Sequence, residues 1–260
     1  MAIKTRGWMV TATALALAVS VAQAVPSAMA ESAPNDSRIQ AELTKSLSNA
    51  QFKDVHASVH NGIVSLTGTV NVYGVKADAE KKARKVKTVA AVKDDIQVAG
   101  PAVPDQVLQR KLLGKIESDR IGYGTTAFNA ISLNVQNGVV TLGGSAYGPI
   151  DKESAIIDAS YTAGVKDVVD HIQVDPVSRF DDGIRAATAR AVYGFPSLGK
   201  YASDPVKPIR IAVQNGNVTL VGEVISQADK EVAGLRANSV PGVFKVTNNL
   251  RVANQQSEHN

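Results

Sequence analysis

Three stretches of this chain are near-copies of one another: VHNGIVSLTG at residues 59–68, VQNGVVTLGG at 135–144 and VQNGNVTLVG at 213–222. No other feature restricts the fold as much. Val59, Val135 and Val213 are spaced by 76 and 78 residues, and each is followed 39 residues later by another valine: Val98, Val174 and Val252. Between those ends the register holds without a gap. Lys76, Lys152 and Lys230 coincide, as do Ala79, Ala155 and Ala233, and Ala83, Ala159 and Ala237. A period this long, enclosing a complete helix-and-strand pattern, means tandem domains and not a solenoid.

Each unit reads physically. Alternating apolar residues flank Asn61-Gly62, Asn137-Gly138 and Asn215-Gly216: Val55-x-Ala57-x-Val59 and Val64-x-Leu66 in the first copy, with Ile131 to Leu142 and Ile209 to Leu220 matching them. Period two on both sides of Asn-Gly predicts a tight β-hairpin, because a type I′ turn needs positive φ at both central residues. These six residues are therefore assigned as structural turns. Gly68, Gly144 and Gly222 follow on the inward phase, where a missing side chain lets a helix approach closely or marks a bulge.

The period then changes. KADAEKKARKVKTV, KESAIIDASYTAGV and KEVAGLRANSVPGV set alanines four apart and predict helices. Gly164 and Gly242 suit a left-handed helix end, where the first copy has Thr88. A closing strand follows at residues 92–98, 168–174 and 246–252. Upstream of each hairpin lies another helical pattern: Ile39, Leu43 and Leu47, with Asp36 or Ser37 as cap; Leu108, Leu112 and Ile116; and DDGIRAATARAVYG. The fold class is α+β: three tandem αββαβ domains, each a small three-stranded mixed sheet with two helices packed on one face. The domains are expected at residues 35–99, 104–175 and 180–253. Short proline-bearing linkers, AGPAVP and DPVSRF, restrict their relative freedom, and residues 254–260 are expected to be a disordered tail.

The N-terminus speaks to compartment. Lys4 and Arg6 precede an apolar stretch at 10–25, and AQA and AMA follow as small-residue cleavage sites. That order predicts a secretory signal peptide at residues 1–30; the apolar core is too short and too diluted by Thr11, Thr13, Ser20 and Gln23 for an anchor. No later stretch is apolar enough to span a bilayer, so the mature chain is expected in the periplasm or secreted. The chain has no cysteine, which excludes disulfides, thiolate catalysis and cysteine metal sites. Without Lys4 and Arg6 the formal charge falls from +4 to +2, too balanced for a nucleic-acid binder.

The pattern V-x-V-x-NG-x-V-x-L-x-G, the alanine helix and the closing GV-x-x-V-x-[ND]-x-[IL]-x-V resemble the BON domain of osmotically inducible periplasmic proteins. The last element reads Gly164-Val165-x-x-Val168-x-Asp170-x-Ile172-x-Val174 and Gly242-Val243-x-x-Val246-x-Asn248-x-Leu250-x-Val252; the first copy keeps Val89, Val92, Asp94, Ile96 and Val98 without the glycine. The resemblance covers residues 35–253 in three copies. It implies an envelope-located, stress-related, non-enzymatic module that binds phospholipid surfaces or other envelope components, some members being chaperones. Members commonly carry two such domains, and this chain has three copies of the pattern.

Catalytic constellations are lacking. GYGTTA at 122–127 matches a dinucleotide fingerprint in letters, but it follows a helix and precedes a strand, the reverse of what that motif needs. GGSAYG lacks nucleophile-elbow spacing. His56 and His60 lie two strand periods apart, with either a solvated role or a metal-like spacing. Asp94, Asp170 and Asn248 share one register position but have no acid, base or metal partner in the pattern. No enzyme, cofactor or metal is predicted.

What differs between copies points outward. The second helix of the first unit carries Lys76, Lys81, Lys82, Arg84, Lys85 and Lys87, while its counterparts are nearly neutral. Lys81, Lys82, Arg84, Lys85 and Lys87 are candidate contacts to anionic lipid headgroups, or else a solubilising face. The connections before the second and third hairpins are long and carry Tyr123 and Phe128, then Tyr193, Phe195 and Tyr201. These aromatics either meet a membrane interface or an apolar peptide, or fold back over the core. The leading expectation is a multivalent module for anionic phospholipid, the alternative a periplasmic chaperone for unfolded or outer-membrane clients, and the third a structural adaptor for another envelope complex.

Overall fold

The computed structural model describes residues 32–119, 125–202 and 209–253. The first unit runs α1 (Ser32–Ser46), β1 (Val55–His60), β2 (Ile63–Val70), α2 (Tyr73–Lys85), β3 (Ala91–Asp94) and β4 (Gln97–Val98). The second follows as α3 (Asp105–Ser118), β5 (Ala130–Gln136), β6 (Val139–Ala146), α4 (Pro149–Ser160), β7 (Asp167–Asp170) and β8 (Gln173–Val174). The third is α5 (Arg179–Tyr193), a short α6 (Gly199–Ala202), β9 (Arg210–Gln214), β10 (Asn217–Val224), α7 (Gln227–Asn238) and β11 (Lys245–Val252). Three separate mixed sheets result. In each the middle strand pairs antiparallel with its hairpin partner and parallel with the strand after the second helix.

The repeated apolar positions are the three cores. Val64, Leu66, Ala79, Ala83 and Ile96 are buried in the first unit, Val140, Leu142, Ala155, Ala159 and Ile172 in the second, and Val218, Leu220, Ala233, Ala237 and Leu250 in the third. Alanines on the second helix let it lie close on the sheet, and each buried valine, leucine or isoleucine contributes about 1.5–3 kcal/mol. The hairpin turns take the expected left-handed values: Asn61, Asn137 and Asn215 have φ of 50°, 53° and 51°, and the following glycines 74°, 80° and 74°. Gly68 and Gly144 answer to a strand partner and not to a helix. A Cβ there would stand 2.0 Å from the Asp54 carbonyl oxygen and 2.1 Å from that of Ala130.

Two local expectations change. The closing strand is broken in the first two units. There Asp94 Oδ1 and Asp170 Oδ1 accept from the backbone N–H two residues on, Ile96 at 3.0 Å and Ile172 at 2.9 Å. Such local bonds compete with a regular ladder. In the third unit the corresponding bond from Leu250 to Asn248 is 3.2 Å and β11 is continuous. Asp36 is not a helix cap: α1 begins upstream of it, at Ser32. The expected signal peptide (1–30) and tail (254–260) lie outside the described residues.

Neighbouring units touch. Tyr161, the residue that caps α4, donates to Asp78 Oδ2 on α2 at 2.6 Å, and its ring covers Gly74, where a Cβ would come within 2.6 Å. Between the second and third units, Arg210 Nη1 donates to the carbonyl oxygens of Thr126 (2.8 Å) and Asn129 (3.3 Å).

Candidate functional site

The Asn-Gly turns are built as scaffold by an interaction that recurs three times. Asp36 accepts from the N–H groups of Asn61 and Gly62 at 2.7 and 2.8 Å; Asp105 holds Asn137 and Gly138 at 2.7 and 2.9 Å; Asp181 holds Asn215 and Gly216 at 2.9 and 2.8 Å. One carboxylate per domain, carried near the start of the first helix, thus satisfies both amides of a tight turn. Both oxygens of each carboxylate are engaged by the turn, which assigns these aspartates a structural role.

The aligned lysines and acids also serve the fold. Lys76 Nζ and Lys152 Nζ donate to the carbonyl oxygens of Ile96 (2.8 Å) and Ile172 (2.7 Å), across the break in the closing strand. Lys152 also meets Asp170 at 2.7 Å, whereas Lys76 stands 3.9 Å from Asp94. That difference shows in the acids. Burial pushes the Asp94 carboxyl up, with Lys76 too distant to reverse it. Burial acts the same way on Asp170, but the bonds from Lys152 and the Ile172 N–H turn the balance and hold it below the usual range.

The basic helix is displayed as expected for its alanine stripe. Ala79 and Ala83 are fully buried and Lys81, Arg84, Lys85 and Lys87 are exposed. Arg84 is engaged with Glu80 at 2.6 Å, and Lys82 leans over the Phe52 ring at 5.7 Å. Lys81, Lys85 and Lys87 make no ion pair among the described residues.

The loop aromatics require a correction. Tyr123 lies outside the described residues; the other four face inward. Phe128, Tyr193 and Phe195 pack against the third core, and Tyr201 belongs to it. Tyr193 donates to the Ile209 carbonyl oxygen, and burial pushes its hydroxyl up. Tyr201 donates to Asp229 Oδ2 at 2.8 Å and accepts from the Ile225 N–H at 2.8 Å. Burial alone would raise the Asp229 carboxyl, but Lys200 and Tyr201 together hold it below the usual range. Asp151, at the same register position, ties down the second unit's loop through Thr125 (2.8 Å) and Asn129 (3.0 Å). The physical reason is the small core: aromatic rings close its open end. Tyr201 is buried and Phe128, Tyr193 and Phe195 are partly buried, so of the two alternatives this packing matches rings folded back over the core.

The sequence reading missed a different aromatic pair. Phe180 and Phe244 are 54% and 76% exposed, and their rings stand 6.3 Å apart beside the third turn. Arg179 and Lys245 adjoin them in sequence. The signal was present in the register, where Phe244 replaces Ala90 and Lys166. His56 and His60 both point outward from β1, and four residues of strand separate their positions by about 13 Å, too far for one metal ion. Among the described residues no group of three or more metal-ligating side chains forms, and no helix is long and apolar enough to cross a membrane.

A family model of the BON domain matches residues 35–100, 104–176 and 197–254. No curated protein matches the chain. Among solved structures, the C-terminal domain of CdsD, the structural protein of the type III secretion system of Chlamydia trachomatis, is 13% identical; the match covers 82% of this chain and 96% of that one, with a TM-score of 0.24. A second CdsD structure from the same organism is 15% identical over 84% and 94% of the two chains, with a TM-score of 0.23. Likeness at this level supports no statement about function.

Proposed function

The chain belongs to the BON-domain family, in three copies, and from that premise we propose that it is a non-enzymatic envelope protein that associates with anionic phospholipid surfaces through several weak contacts. BON domains are associated with phospholipid-binding and envelope-related proteins, and the family is generally one of binding modules. The observation that carries the reading is the exposed set Lys81 and Lys85 on α2 and Lys87 just past its end, which makes no ion pair among the described residues and is held outward by the buried Ala79 and Ala83. Each cation near an anionic surface contributes about 1 kcal/mol, so three give a weak contact that a second patch must reinforce. Phe180 and Phe244 supply such a patch, with the pairing of aromatic ring and neighbouring cation suited to a headgroup interface.

Residues 1–30 direct export and are removed in this reading; N-terminal sequencing of the protein recovered from the envelope tests it. Vesicle co-sedimentation tests the rest. Binding to vesicles containing phosphatidylglycerol at low salt, and not to phosphatidylcholine alone, is expected. Charge reversal in Lys81→Glu, Lys82→Glu and Lys85→Glu combined is expected to lower it selectively. Absence of binding at low salt would refute the lipid reading. The chaperone alternative rests chiefly on the exposed Phe180–Phe244 pair; suppression of client aggregation without vesicle binding would promote it.

A further inference from the structure

The outer sheet faces of the second and third domains approach each other, and a cleft of about 560 Å³ lies between them. One wall is a row across three strands: Ala130, Ser145 and Gln173, paired in register on β5, β6 and β8. The other wall is the face of the third sheet, with Ala212 and Gln214 on β9, Thr219 and Val221 on β10, and Asn249 on β11. No lining side chain carries a charge; every polar one is an amide or a hydroxyl.

That neutrality is particular to these two faces. Where the first domain has Asp54, His56, His60 and Asp95, the cleft has Ala130, Ser132, Gln214 and Asn249. Gln173 on one wall and Asn249 on the other are exposed, so their amide groups are open to the gap from both sides. The walls are also fixed. Arg210 bonds Thr126 and Asn129 across the junction, and the Arg185 guanidinium lies 4.9 Å from the Tyr147 ring and 6.0 Å from that of Phe128. A preformed gap does not have to be ordered on binding.

We infer that this cleft binds a short, uncharged oligosaccharide segment. A charged ligand would lose its water with no partner of opposite sign among the lining groups. Amide side chains donate and accept at once, as sugar hydroxyls do. The small floor of Ala130, Gly144, Ala212 and Val221 suits the flat C–H face of a sugar ring, and the volume lies in the range of small-ligand sites. An extended peptide is disfavoured because it would add to an open strand edge, whereas these side chains project from sheet faces. The inference is independent of the lipid reading, which rests on α2 and the Phe180–Phe244 pair.

The test is titration of the full chain with a panel of uncharged di- to tetrasaccharides, followed by calorimetry and backbone amide chemical shifts. Binding by at least one member is expected, with the largest shifts at Ser145, Gln173, Gln214 and Asn249. Asn249→Asp is expected to weaken it at least tenfold, and Gln173→Ala several-fold; both positions are exposed, and both variants keep unchanged unfolding midpoints. The combined Lys81, Lys82 and Lys85 reversal leaves sugar binding intact, so the two readings fail separately. No binding across the panel, shifts confined to another face, or affinity indifferent to both cleft variants would overturn the inference. So would a neutral extended peptide that binds at these residues in preference to the sugars.

Discussion

Arg185 Nη2 donates to Asp175 Oδ2 at 3.0 Å, and the two side chains are 2% and 1% exposed. Asp175 ends the second domain, directly after β8, and Arg185 sits inside α5 of the third. The pair is therefore a buried ionic junction between domains. Gln214 Nε2 donates to the other Asp175 oxygen at 2.9 Å, and the Val213 carbonyl oxygen accepts from Arg185 at 2.9 Å.

Removing one member of this pair is expected to cost far more than removing both. Arg185→Met leaves a buried carboxylate without its cation, and breaking such a pair typically costs about 3–5 kcal/mol. Arg185→Met combined with Asp175→Leu removes both desolvated charges and is expected to recover a large part of that loss. A double-mutant cycle by urea unfolding measures the coupling. Additive losses would show that the two side chains do not act as a pair.

The carboxylate clamps on the turns are expected to rank by burial. Asp181 is 1% exposed, whereas Asp36 sits at an exposed turn. An asparagine side chain offers one acceptor oxygen where the carboxylate offers two, so one turn N–H loses its partner. For Asp181→Asn the loss is about 1–3 kcal/mol, and for Asp36→Asn water replaces the lost bond at lower cost. Hydrogen exchange of the Asn215 and Gly216 amides reads the effect directly. Unchanged protection in Asp181→Asn would rule out the clamp.

Docking of the first domain on the second is expected to weaken in alkali. Burial, reinforced by Asp167, pushes the Tyr73 hydroxyl up to about 12, and burial with the bond to Asp78 pushes Tyr161 up to about 12. A raised value means that the folded state favours the neutral phenol. The contribution is complete below pH 10, the ordinary tyrosine range, and is lost as the pH rises through 12. Ultraviolet titration of tyrosinate, with small-angle scattering for shape, follows both. Tyr161→Phe removes the donor to Asp78 and is expected to flatten the scattering change between those pH values. An identical change in that variant would show that the contact does not hold the domains together.

The residues that were legible in the sequence are those whose role is local. Asn61-Gly62 and its copies announce positive φ because few other pairs adopt it, and Ala79 and Ala83 mark a helix face because their spacing is that of a helix. The clamps were not legible. Asp36, Asp105 and Asp181 reach turns 25, 32 and 34 residues away, across a connection whose length differs in each copy, so no fixed spacing signals them. Tyr201 was ambiguous for a similar reason: its partner Asp229 stands 28 residues on, and loop composition does not say which way a ring turns. The cleft was hidden more deeply. Ser145 and Asn249 face one space only because Arg210 and Arg185 set the angle between two domains, and no periodicity within either domain encodes that angle.

Membrane association, if it works through α2, is expected to respond to salt and to two substitutions in different ways. Lys81, Lys85 and Lys87 act through charge, which is screened over about 10 Å at 0.1 M salt and about 3 Å at 1 M. Vesicle binding is therefore expected to fall steeply between those concentrations. Phe180 and Phe244 act by burial of apolar surface, which added salt does not weaken. Phe244→Ser is thus expected to reduce binding by a factor that persists at high salt, while the lysine reversals lose their effect there. The rings are 54% and 76% exposed, lie over Gly242 and Gly216, and are not part of the third core, so the substitution leaves that core intact. Co-sedimentation with phosphatidylglycerol vesicles across a salt series separates the two contributions. Salt-independent binding with no loss in the lysine variants would remove α2 from the interface, and an unchanged affinity in Phe244→Ser would remove the aromatic pair.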